Sequence, residues 1–436
     1  MPVKCQAKHN RPPAAATTTT RTTDCYQQSF AVPFTYPVHF THGAFRKTNP
    51  VLASIFGPPE NGRAHRVLVY VDSGVARAWP RLATRIAAYF DRPGFDLRAP
   101  PVLLPGGESA KEGWHTVQHV MTQLGEQHLC RHSYVVVVGG GSLLDAAGFA
   151  AALVHRGVRL IRLPTTVLAQ NDAGVGVKNG MNEHGQKNFV GTFAPPFAVI
   201  NDFDFLTTLD DTHWVGGISE ACKVAVIRDA EFFAFLEENA TRFHARDLSA
   251  MEVLVRWCAT LHLDHIRTGN DPFEQGAARP LDFGHWLAHK LEAMSGFTLD
   301  HGAAVAIGMA LDCYVAAAAG LLRTTERDRI VQMLQRAGLV LWHELLTVRT
   351  RGGRLAILDG LDEFREHLGG RLTITLPHGI GQRVEVHTMN PATITRGVTW
   401  LQTLPPTPPA PSAPAPCCRG VRHPGGRRSP IPAAGA

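Results

Sequence analysis

The sequence lacks the features that mark disulfide-stabilised, membrane-spanning and secreted proteins. Its 8 cysteines among 436 residues include no CxxC pair, and no apolar run approaches the roughly 20 residues that cross a membrane. The N-terminus has no continuous apolar segment of the kind found in secretory signals. We therefore predict buried thiols, a reducing cytoplasmic location and no contact with a membrane.

The chain also lacks net charge where a folded core is expected. Of its formal charge of +6, residues 403–436 contribute +4 (four arginines and no acid) and residues 1–30 contribute +3, which leaves about −1 for residues 31–402. A nucleic-acid-binding face would need the excess of lysine and arginine to lie on the folded part. The basic isoelectric point therefore does not indicate nucleic-acid binding.

What the chain has instead is a change of pattern along its length. Short apolar runs alternate with helical stretches from residue 29 to 208, which favours a Rossmann-like α/β domain with a mainly parallel sheet. Nearly every stretch from 209 to 402 has helical spacing, which favours an all-α C-terminal domain. Residues 1–28 and the Pro- and Arg-rich residues 403–436 have the composition of disordered tails.

A Gly-rich turn joins a predicted buried strand to a helix in VVVVGGGSLLDAAGF. Glycine lets the backbone approach a pyrophosphate, and the helix N-terminus adds free N–H groups and positive potential. Tight packing is the alternative, because the spacing is not GxGxxG. Asp72 ends an earlier strand, where it either accepts ribose hydroxyls or caps the next helix. Glu108 and Lys111 follow at a turn, in the spacing of an ordinary solvated charge pair.

The segment RLPTTVLAQNDAGVGVKNGMNEHGQKN carries more polar chemistry. It places Asp172, Lys178, Lys187 and Asn188 in what the sequence predicts to be a Gly-rich loop. Lysine and asparagine in such a loop suit a phosphate and sugar hydroxyls. The alternative is an ordinary solvent loop.

Three segments of the helical half hold residues suited to a divalent metal. Glu220 and Lys223 share a face of one predicted helix, and His285 and His289 share a face of another. His301 follows after a turn. Glu220, His285 and His301 make a two-histidine, one-carboxylate set, which suits Zn²⁺ with a position open for water or substrate. Unconnected packed or surface histidines are the alternative, because spacing alone does not prove that the three meet.

Taken in order, these segments resemble the 3-dehydroquinate synthase superfamily, the sugar phosphate cyclases. The resemblance covers about residues 65–390 and rests on seven ordered motifs: PGGESAK, GGGSLLDAAGFAA, RGVRLIRLPTTVLAQNDAGVGVK, KNFVGTF, GGISEACK, RPLDFGHWLAH and HGAAVAIGM. It implies a dehydroquinate synthase-like fold, commonly homodimeric, in which bound NAD⁺ transiently oxidises a C7 sugar phosphate. Phosphate is then eliminated, the hydride is returned, and an intramolecular aldol step closes the ring.

The resemblance also assigns roles by position. It implies that a divalent metal, Zn²⁺ or alternatively Co²⁺, binds Glu220, His285 and His301. It places NAD against Asp72, Glu108, Lys111, Gly140, Gly141, Asp145, Thr165, Thr166 and Lys187. It places the sugar phosphate against Arg156, Asp172, Lys178, Asn188, Lys223, Arg279 and His289.

Several departures from the dehydroquinate synthases bear on the substrate. Their motif RxLLNFGH reads RPLDFGH here, so Asp282 replaces an asparagine and joins the predicted substrate-facing residues. A substrate-side lysine is absent from the segment that contains His262, and EFREHLGG offers Arg365 and His367 where a lysine is expected. Less positive charge and one more carboxylate disfavour a substrate with a second anionic group. PLDFGH and DAGVGVKNG instead resemble the cyclases of sedoheptulose 7-phosphate, which has no carboxylate.

We therefore predict an NAD- and metal-dependent cyclase that converts sedoheptulose 7-phosphate to a valiolone-type cyclitol. A 3-dehydroquinate synthase of the shikimate pathway is the first alternative, and a metal-dependent alcohol or glycerol dehydrogenase of the same fold is the second. Lys178, Lys187 and Lys223 argue against the dehydrogenase, because a plain alcohol has no phosphate to bind. A metal-binding scaffold without activity is a further alternative, weakened because no metal- or phosphate-facing position is obviously lost.

Overall fold

The computed structural model of the chain describes residues 28–59, 62–269, 273, 281–367 and 370–408. Residues 28–35 belong to a separate N-terminal unit and are exposed, and the compact unit begins at Tyr36. Most of both predicted tails lies outside the described residues. So do Arg279, predicted to face the substrate, and the side chain of His367.

Strands and helices alternate through the first half of the compact unit, as the sequence pattern predicts. They are, in chain order, β1 (Val38–Thr41), α1 (Val51–Phe56), β2 (His65–Asp72), α2 (Ser73–Ala78), α3 (Leu82–Phe90), β3 (Phe95–Leu97), β4 (Val102–Leu104), α4 (His115–Glu126), β5 (Tyr134–Gly139), α5 (Gly141–Leu153), β6 (Arg159–Pro164), β7 (Lys178–Glu183), β8 (Gln186–Phe193) and β9 (Ala198–Asp202). Short helical turns also occur at Glu108–Ala110, Val154–Arg156, Ala169–Ala173 and Phe203–Thr208.

Seven strands of the described chain form one parallel sheet in the order β1-β9-β6-β5-β2-β3, with β4 also paired to β2. Alternate residues of β2 face opposite sides: Val67 and Val69 pack with α1 and α3, whereas Leu68 and Tyr70 pack with α4 and α5. Because both faces are covered, the central strands read as continuous apolar runs.

The sheet brings the predicted cofactor residues to its carboxyl edge. β2 ends at Asp72, β5 ends just before Gly140, and β6 ends just before Thr165. The chain runs from β2 outward to β3 and later returns to β5 on the other side of β2. Ligands of doubly wound sheets bind at the carboxyl edge where the strand order reverses in this way.

The described part of the second half is helical apart from one hairpin. Its elements are α6 (Asp211–Arg228), α7 (Ala230–His244), α8 (Leu248–Thr268), α9 (His285–Met294), α10 (His301–Ala318), α11 (Thr324–Arg336), α12 (Asp359–His367), β10 (Ile374–Pro377), β11 (Arg383–Val386) and α13 (Pro391–Gln402). Helical turns occur at Glu344–Thr347 and Ala356–Leu358. The β10–β11 hairpin departs from the all-α prediction, and its apolar residues join the helical core.

Helix α10 runs through the centre of this core. Among the described residues it alone has the length and mean hydropathy of a membrane span, and 72% of it is buried within the fold. Its glycines permit close approach: a Cβ on Gly308 would lie 2.1 Å from the carbonyl oxygen of Gly284, and one on Gly302 would lie 2.2 Å from that of Gly216. Larger side chains at either position would therefore push α10 away from its neighbours.

Residues 403–408 belong to the folded unit, so the predicted tail boundary at 403 is too early. Gln335 Nε2 donates to the Pro405 carbonyl at 2.7 Å, and Thr407 Oγ1 donates to the Leu339 carbonyl at 2.8 Å. Leu404 packs against the helical core. These contacts extend the folded chain past α13.

The described cysteines fit the predicted buried thiols with one exception. Cys222, Cys258 and Cys313 are buried, but Cys130, between α4 and β5, is exposed. Its sulfur lies 3.5 Å from Ser133 Oγ, and this hydrogen bond lowers the pKa of the thiol. The prediction of buried thiols is therefore wrong for Cys130.

Candidate active site

Three side chains from three helices meet in the helical half. Glu220 lies in the middle of α6, His285 is the first residue of α9, and His301 is the first residue of α10. The Nε2 atoms of His285 and His301 lie 3.9 and 3.5 Å from Glu220 Oε1. One ligand atom of each residue lies within 4.8 Å of the others. Atoms at these separations surround a point that a metal with bonds of about 2.0–2.2 Å can occupy after small shifts.

The charge of Glu220 fits a divalent cation. Its side chain is 1% exposed, and neither carboxylate oxygen receives a hydrogen bond of regular geometry in the described chain. Lys223, one turn further along α6, forms an ion pair with it. Burial raises the pKa of Glu220, but Lys223 and His301 outweigh this and lower it to about 2. A buried, ionised carboxylate with unused lone pairs is a suitable Zn²⁺ ligand.

The two histidines are held differently. Burial and the neighbouring charges of Lys223 and His289 hold the pKa of His285 well below its usual range, so the ring is neutral. Its Nδ1 lies 3.1 Å from the Phe283 carbonyl oxygen, which assigns the proton to Nδ1 and the lone pair to Nε2. Burial lowers the pKa of His301, but its contacts with the carboxylates of Glu220 and Glu292 raise it to about 10.

The second of these carboxylates is Glu292, which is not among the site residues predicted from the sequence. It lies on α9, is 1% exposed, and its Oε1 is 3.3 Å from His301 Nδ1. The same oxygen is 2.8 Å from Lys187 Nζ. The available signal is its spacing, because a residue seven positions after His285 lies on the same helix face.

The predicted substrate side surrounds Lys223. Burial lowers the pKa of Lys223, but Glu220, Asp172 and Asp282 outweigh it and raise that pKa, so the amine is an ammonium. Asp172 Oδ1 lies 2.9 Å from Nδ1 of His262, on α8. His262 therefore occupies the region where a lysine was expected. His289 is exposed, with its ring centroid 5.5 Å from that of His285.

The predicted cofactor residues form a network in the α/β half. Lys111 is 6% exposed and donates to Asp145 Oδ2 at 2.8 Å and to Asn188 Oδ1. Glu108 accepts from Asn182 Nδ2 at 2.8 Å and lies 3.7 Å from Lys187 Nζ. Lys111 is thus not part of a solvated pair with Glu108. Asn188, predicted to face the substrate, contacts the predicted cofactor residue Lys111.

The Gly-rich turn has room for a ligand at two of its glycines. A Cβ on Gly140 or Gly141 would make only ordinary contacts, at 3.5 and 3.4 Å. Packing within the protein therefore does not require glycine there, and close approach of a ligand supplies a reason for it. The Thr165 hydroxyl at the next strand end is buried without a hydrogen-bond partner in the described chain. Asp72 Oδ1 accepts from Gly74 N at 2.7 Å, so its capping role is observed.

The sequence of the chain is similar to the sequences of known proteins. The family models described as 3-dehydroquinate synthase N-terminal and 3-dehydroquinate synthase C-terminal match residues 101–216 and 217–353. A 2-epi-5-epi-valiolone synthase of Actinoplanes sp. is 33% identical over 365 residues, which cover 82% of this chain and 88% of that protein. The chain belongs to the 3-dehydroquinate synthase family.

Two further relatives show how broad this similarity is. A 3-dehydroquinate synthase of Paracoccus denitrificans is 32% identical over 367 residues, which cover 82% of this chain and 94% of that protein. The structure of ValA, a 2-epi-5-epi-valiolone synthase from Streptomyces hygroscopicus with NAD⁺ and Zn²⁺ bound, matches with a TM-score of 0.75 at 28% identity, over 86% of this chain and 99% of that one. The predicted family and fold class are confirmed, and the chain is an enzyme of the sugar phosphate cyclase type.

The segment predicted to be a Gly-rich loop is mostly a hairpin in this family member. Lys178 begins β7, and Lys187 and Asn188 lie on β8. Arg162 of β6, fully buried, donates to the carbonyl oxygens of Gly176 and Lys178, both at 2.9 Å. It thereby fixes the backbone that leads into β7. Arg162 is not among the site residues predicted from the sequence, although a charge inside an apolar strand was the available signal.

Arg156 is not brought to the site within the chain. It is exposed in the turn before β6. Arg159, which begins β6, is in register with Tyr134, the first residue of β5. Arg156 therefore lies at the amino edge of the sheet, opposite the edge that carries the Gly-rich turn. Arg365 donates to Asp362 Oδ1 at 2.9 Å on α12.

A buried carboxylate of α10 holds the start of α9. Asp312 is fully buried and accepts from Gly284 N at 3.0 Å and from Trp286 Nε1 at 2.8 Å, the two residues that flank His285. Burial raises the pKa of Asp312 to about 7, against the effect of these N–H donors. Gly284 has φ +81°, and a Cβ there would lie 2.8 Å from Met309 N, so the position requires glycine.

Proposed function

We propose that the enzyme converts sedoheptulose 7-phosphate to a valiolone-type cyclitol and releases phosphate. The observation that supports this substrate is the surroundings of Lys223, which forms an ion pair with Glu220 and whose pKa is raised further by the charges of Asp172 and Asp282. If a metal binds Glu220, the carboxylates of Asp172 and Asp282 remain, and a substrate carboxylate brought to this point would meet their negative charge. Like charges juxtaposed at a binding site cost several kcal/mol. A C7 sugar phosphate without a carboxylate avoids that repulsion.

Two groups named in the ValA structure suit the residues of this chain. When bound, NAD⁺ at the carboxyl edge of the sheet would accept and return a hydride, and Zn²⁺ held by Glu220, His285 and His301 would polarise hydroxyl and ketone oxygens of the substrate. The fit rests on the ligand atoms of Glu220, His285 and His301, which lie within 4.8 Å of one another, and on the space over Gly140 and Gly141.

The chain's own side chains would then manage charge and position. Lys223, kept protonated by its neighbours, stabilises negative charge that develops on a substrate oxygen. Asp172, oriented by His262, accepts hydrogen bonds from substrate hydroxyls. Lys178, Arg279 and His289 are proposed to bind the phosphate side of the substrate, which restrains the open chain for ring closure.

3-Dehydroquinate synthase is the second candidate, because the Paracoccus relative is almost as similar as the valiolone synthase. The experiment incubates the protein, NAD⁺ and Zn²⁺ with sedoheptulose 7-phosphate or with the carboxylated heptulosonate 7-phosphate. Phosphate release, product mass and absorbance of NADH are followed. Release from sedoheptulose 7-phosphate only, without net NADH, supports the proposal, whereas release from the heptulosonate only overturns it.

The variant Asp282→Asn tests the charge argument directly. Asparagine is the residue expected at this position in dehydroquinate synthases, and the change removes one negative charge near Lys223. We expect the ratio of kcat/KM values to shift toward the carboxylated substrate by about tenfold, which corresponds to about 1.4 kcal/mol. An unchanged ratio would show that Asp282 does not select the substrate.

A further inference from the structure

Glu292 connects the two halves of the site through a single oxygen atom. Its Oε1 lies 3.3 Å from Nδ1 of the proposed metal ligand His301 and 2.8 Å from Nζ of the proposed cofactor-binding Lys187. The side chain is 1% exposed. A carboxylate buried this deeply is stable only if it is paired, and His301 and Lys187 are its partners.

Each contact positions a different group. A carboxylate facing Nδ1 of His301 keeps the proton on that nitrogen, which leaves Nε2 as the atom that gives up its proton when a metal binds. An ammonium has three N–H donors, so the contacts of Lys187 with Glu292 and Glu108 are compatible with a further bond to a bound ligand. Anything that orders Lys187 therefore also orders Glu292, and through it His301.

We propose that Glu292 is a positioning residue that couples metal binding to cofactor binding. The inference rests on the proposed metal site and on the proposed contact of Lys187 with NAD. Because coupling between sites is reciprocal, NAD⁺ tightens the binding of Zn²⁺ by the same factor as Zn²⁺ tightens the binding of NAD⁺. Neither effect requires Glu292 to touch the substrate.

The test measures zinc affinity of the full-length protein by competition with a chromogenic chelator, with and without saturating NAD⁺. In the wild type, NAD⁺ is expected to tighten zinc binding by about fivefold or more. Glu292→Gln keeps the size of the side chain but removes its charge. Its zinc affinity is expected to fall by about 10–100-fold, as for other groups that orient metal ligands, and the effect of NAD⁺ is expected to disappear.

Two further variants separate this role from general damage. Lys187→Met is expected to abolish the effect of NAD⁺ while its zinc affinity without NAD⁺ stays within about threefold of the wild type, which is under 1 kcal/mol. Glu363→Gln is the matched control. Glu363 is an exposed carboxylate of α12 that pairs with Lys290 of α9, the helix that also carries Glu292. It is expected to change neither quantity.

The outcomes distinguish the inference from the proposed function. Wild-type zinc affinity in Glu292→Gln, or an effect of NAD⁺ that persists in that variant or in Lys187→Met, overturns the inference. A folded Glu292→Gln with weaker zinc binding but intact coupling shows a structural role only, which also overturns it. If the wild type binds both ligands without coupling, the inference is wrong and the proposed function is unaffected. If the wild type binds neither ligand, the proposed function is wrong as well.

Discussion

The two halves of the site hold their charges in different ways. In the α/β half, Lys111 pairs with Asp145, and Glu108 accepts a hydrogen bond from Asn182. In the helical half, both oxygens of Glu220 are buried without hydrogen bonds of regular geometry from the described chain. The charged side chains of the cofactor half thus pair with one another or with an amide, whereas Glu220, beside Lys223 and His301, keeps carboxylate lone pairs that a bound cation can use.

Removal of Glu220 should break the metal half and leave the other half intact. Glu220→Ala is expected to lose stoichiometric zinc, with turnover falling by more than the roughly 10–100-fold typical of residues behind the ligands. Zinc is measured by elemental analysis, and NAD⁺ binding by calorimetry should persist. Glu237→Ala, at a carboxylate that pairs with Arg329 on the surface, is the control. Full zinc content in Glu220→Ala would remove this residue from the ligand set.

Removal of Arg162 should break the α/β half instead. Arg162→Met leaves carbonyl oxygens of Gly176 and Lys178 without their donor, at an expected cost of about 2–4 kcal/mol in unfolding free energy. The KM for the sugar phosphate should rise while zinc content stays constant. Urea unfolding, kinetics and zinc analysis check this. Arg159→Met, at the start of the same strand, is the control and should leave KM unchanged. Loss of zinc in Arg162→Met would contradict the prediction that the two halves can be disrupted separately.

The next prediction concerns the pH dependence of stability and Asp312, the buried carboxylate that holds the residues on either side of His285. Because the pKa of Asp312 is raised to about 7 in the folded state, the folded chain holds a proton that the unfolded chain releases above about pH 4. The contribution of Asp312 to stability therefore falls as pH rises from about 4 to about 7. Asp312→Asn should flatten that fall, by up to about 1.4 kcal/mol per unit. Urea midpoints at several pH values test this, and parallel curves would refute it.

The smallest effect is expected outside both halves. Removal of residues 409–436 should leave activity unchanged and stability within about 0.5 kcal/mol. Removal of residues 403–436 also takes away the hydrogen bonds of Pro405 and Thr407, which contribute about 0.5–1.5 kcal/mol each. Thermal unfolding of the two truncations compares them. Equal stability of the two variants would show that the tail begins at residue 403. A folded but inactive variant without residues 409–436 would show that the tail is functional.

The fold was predictable because local pattern and tertiary burial agree. Runs such as YVVVVG are buried on both faces, and the apolar spacing of α9 and α10 matches their packing. The β7–β8 hairpin was not predictable in the same way, because its glycines and asparagines are typical of loops as well as of tight strand pairing.

The candidate site was predictable where residue type limits the chemistry. Two histidines and a glutamate in separate helices suggested a metal, and the structure brings them together. Glu292, Arg162 and Asp312 were missed, because a charged residue in a sequence looks the same whether it is exposed or buried. Their roles depend on partners nine or more residues away, including His301 for Glu292 and Gly176 for Arg162. Only the tertiary structure supplies those partners.

The exposed thiol of Cys130 makes this enzyme convenient to label. In residues 28–408 the other cysteines, Cys222, Cys258 and Cys313, are buried. A maleimide dye added to a chain shortened to residues 28–408 therefore reacts at one position. The hydrogen bond from Ser133 favours the reactive thiolate. Cys130 lies just before β5, at the sheet edge opposite the Gly-rich turn. A fluorophore on Cys130 would follow changes in the conformation of the protein over time without entering the space where cofactor and substrate are proposed to bind.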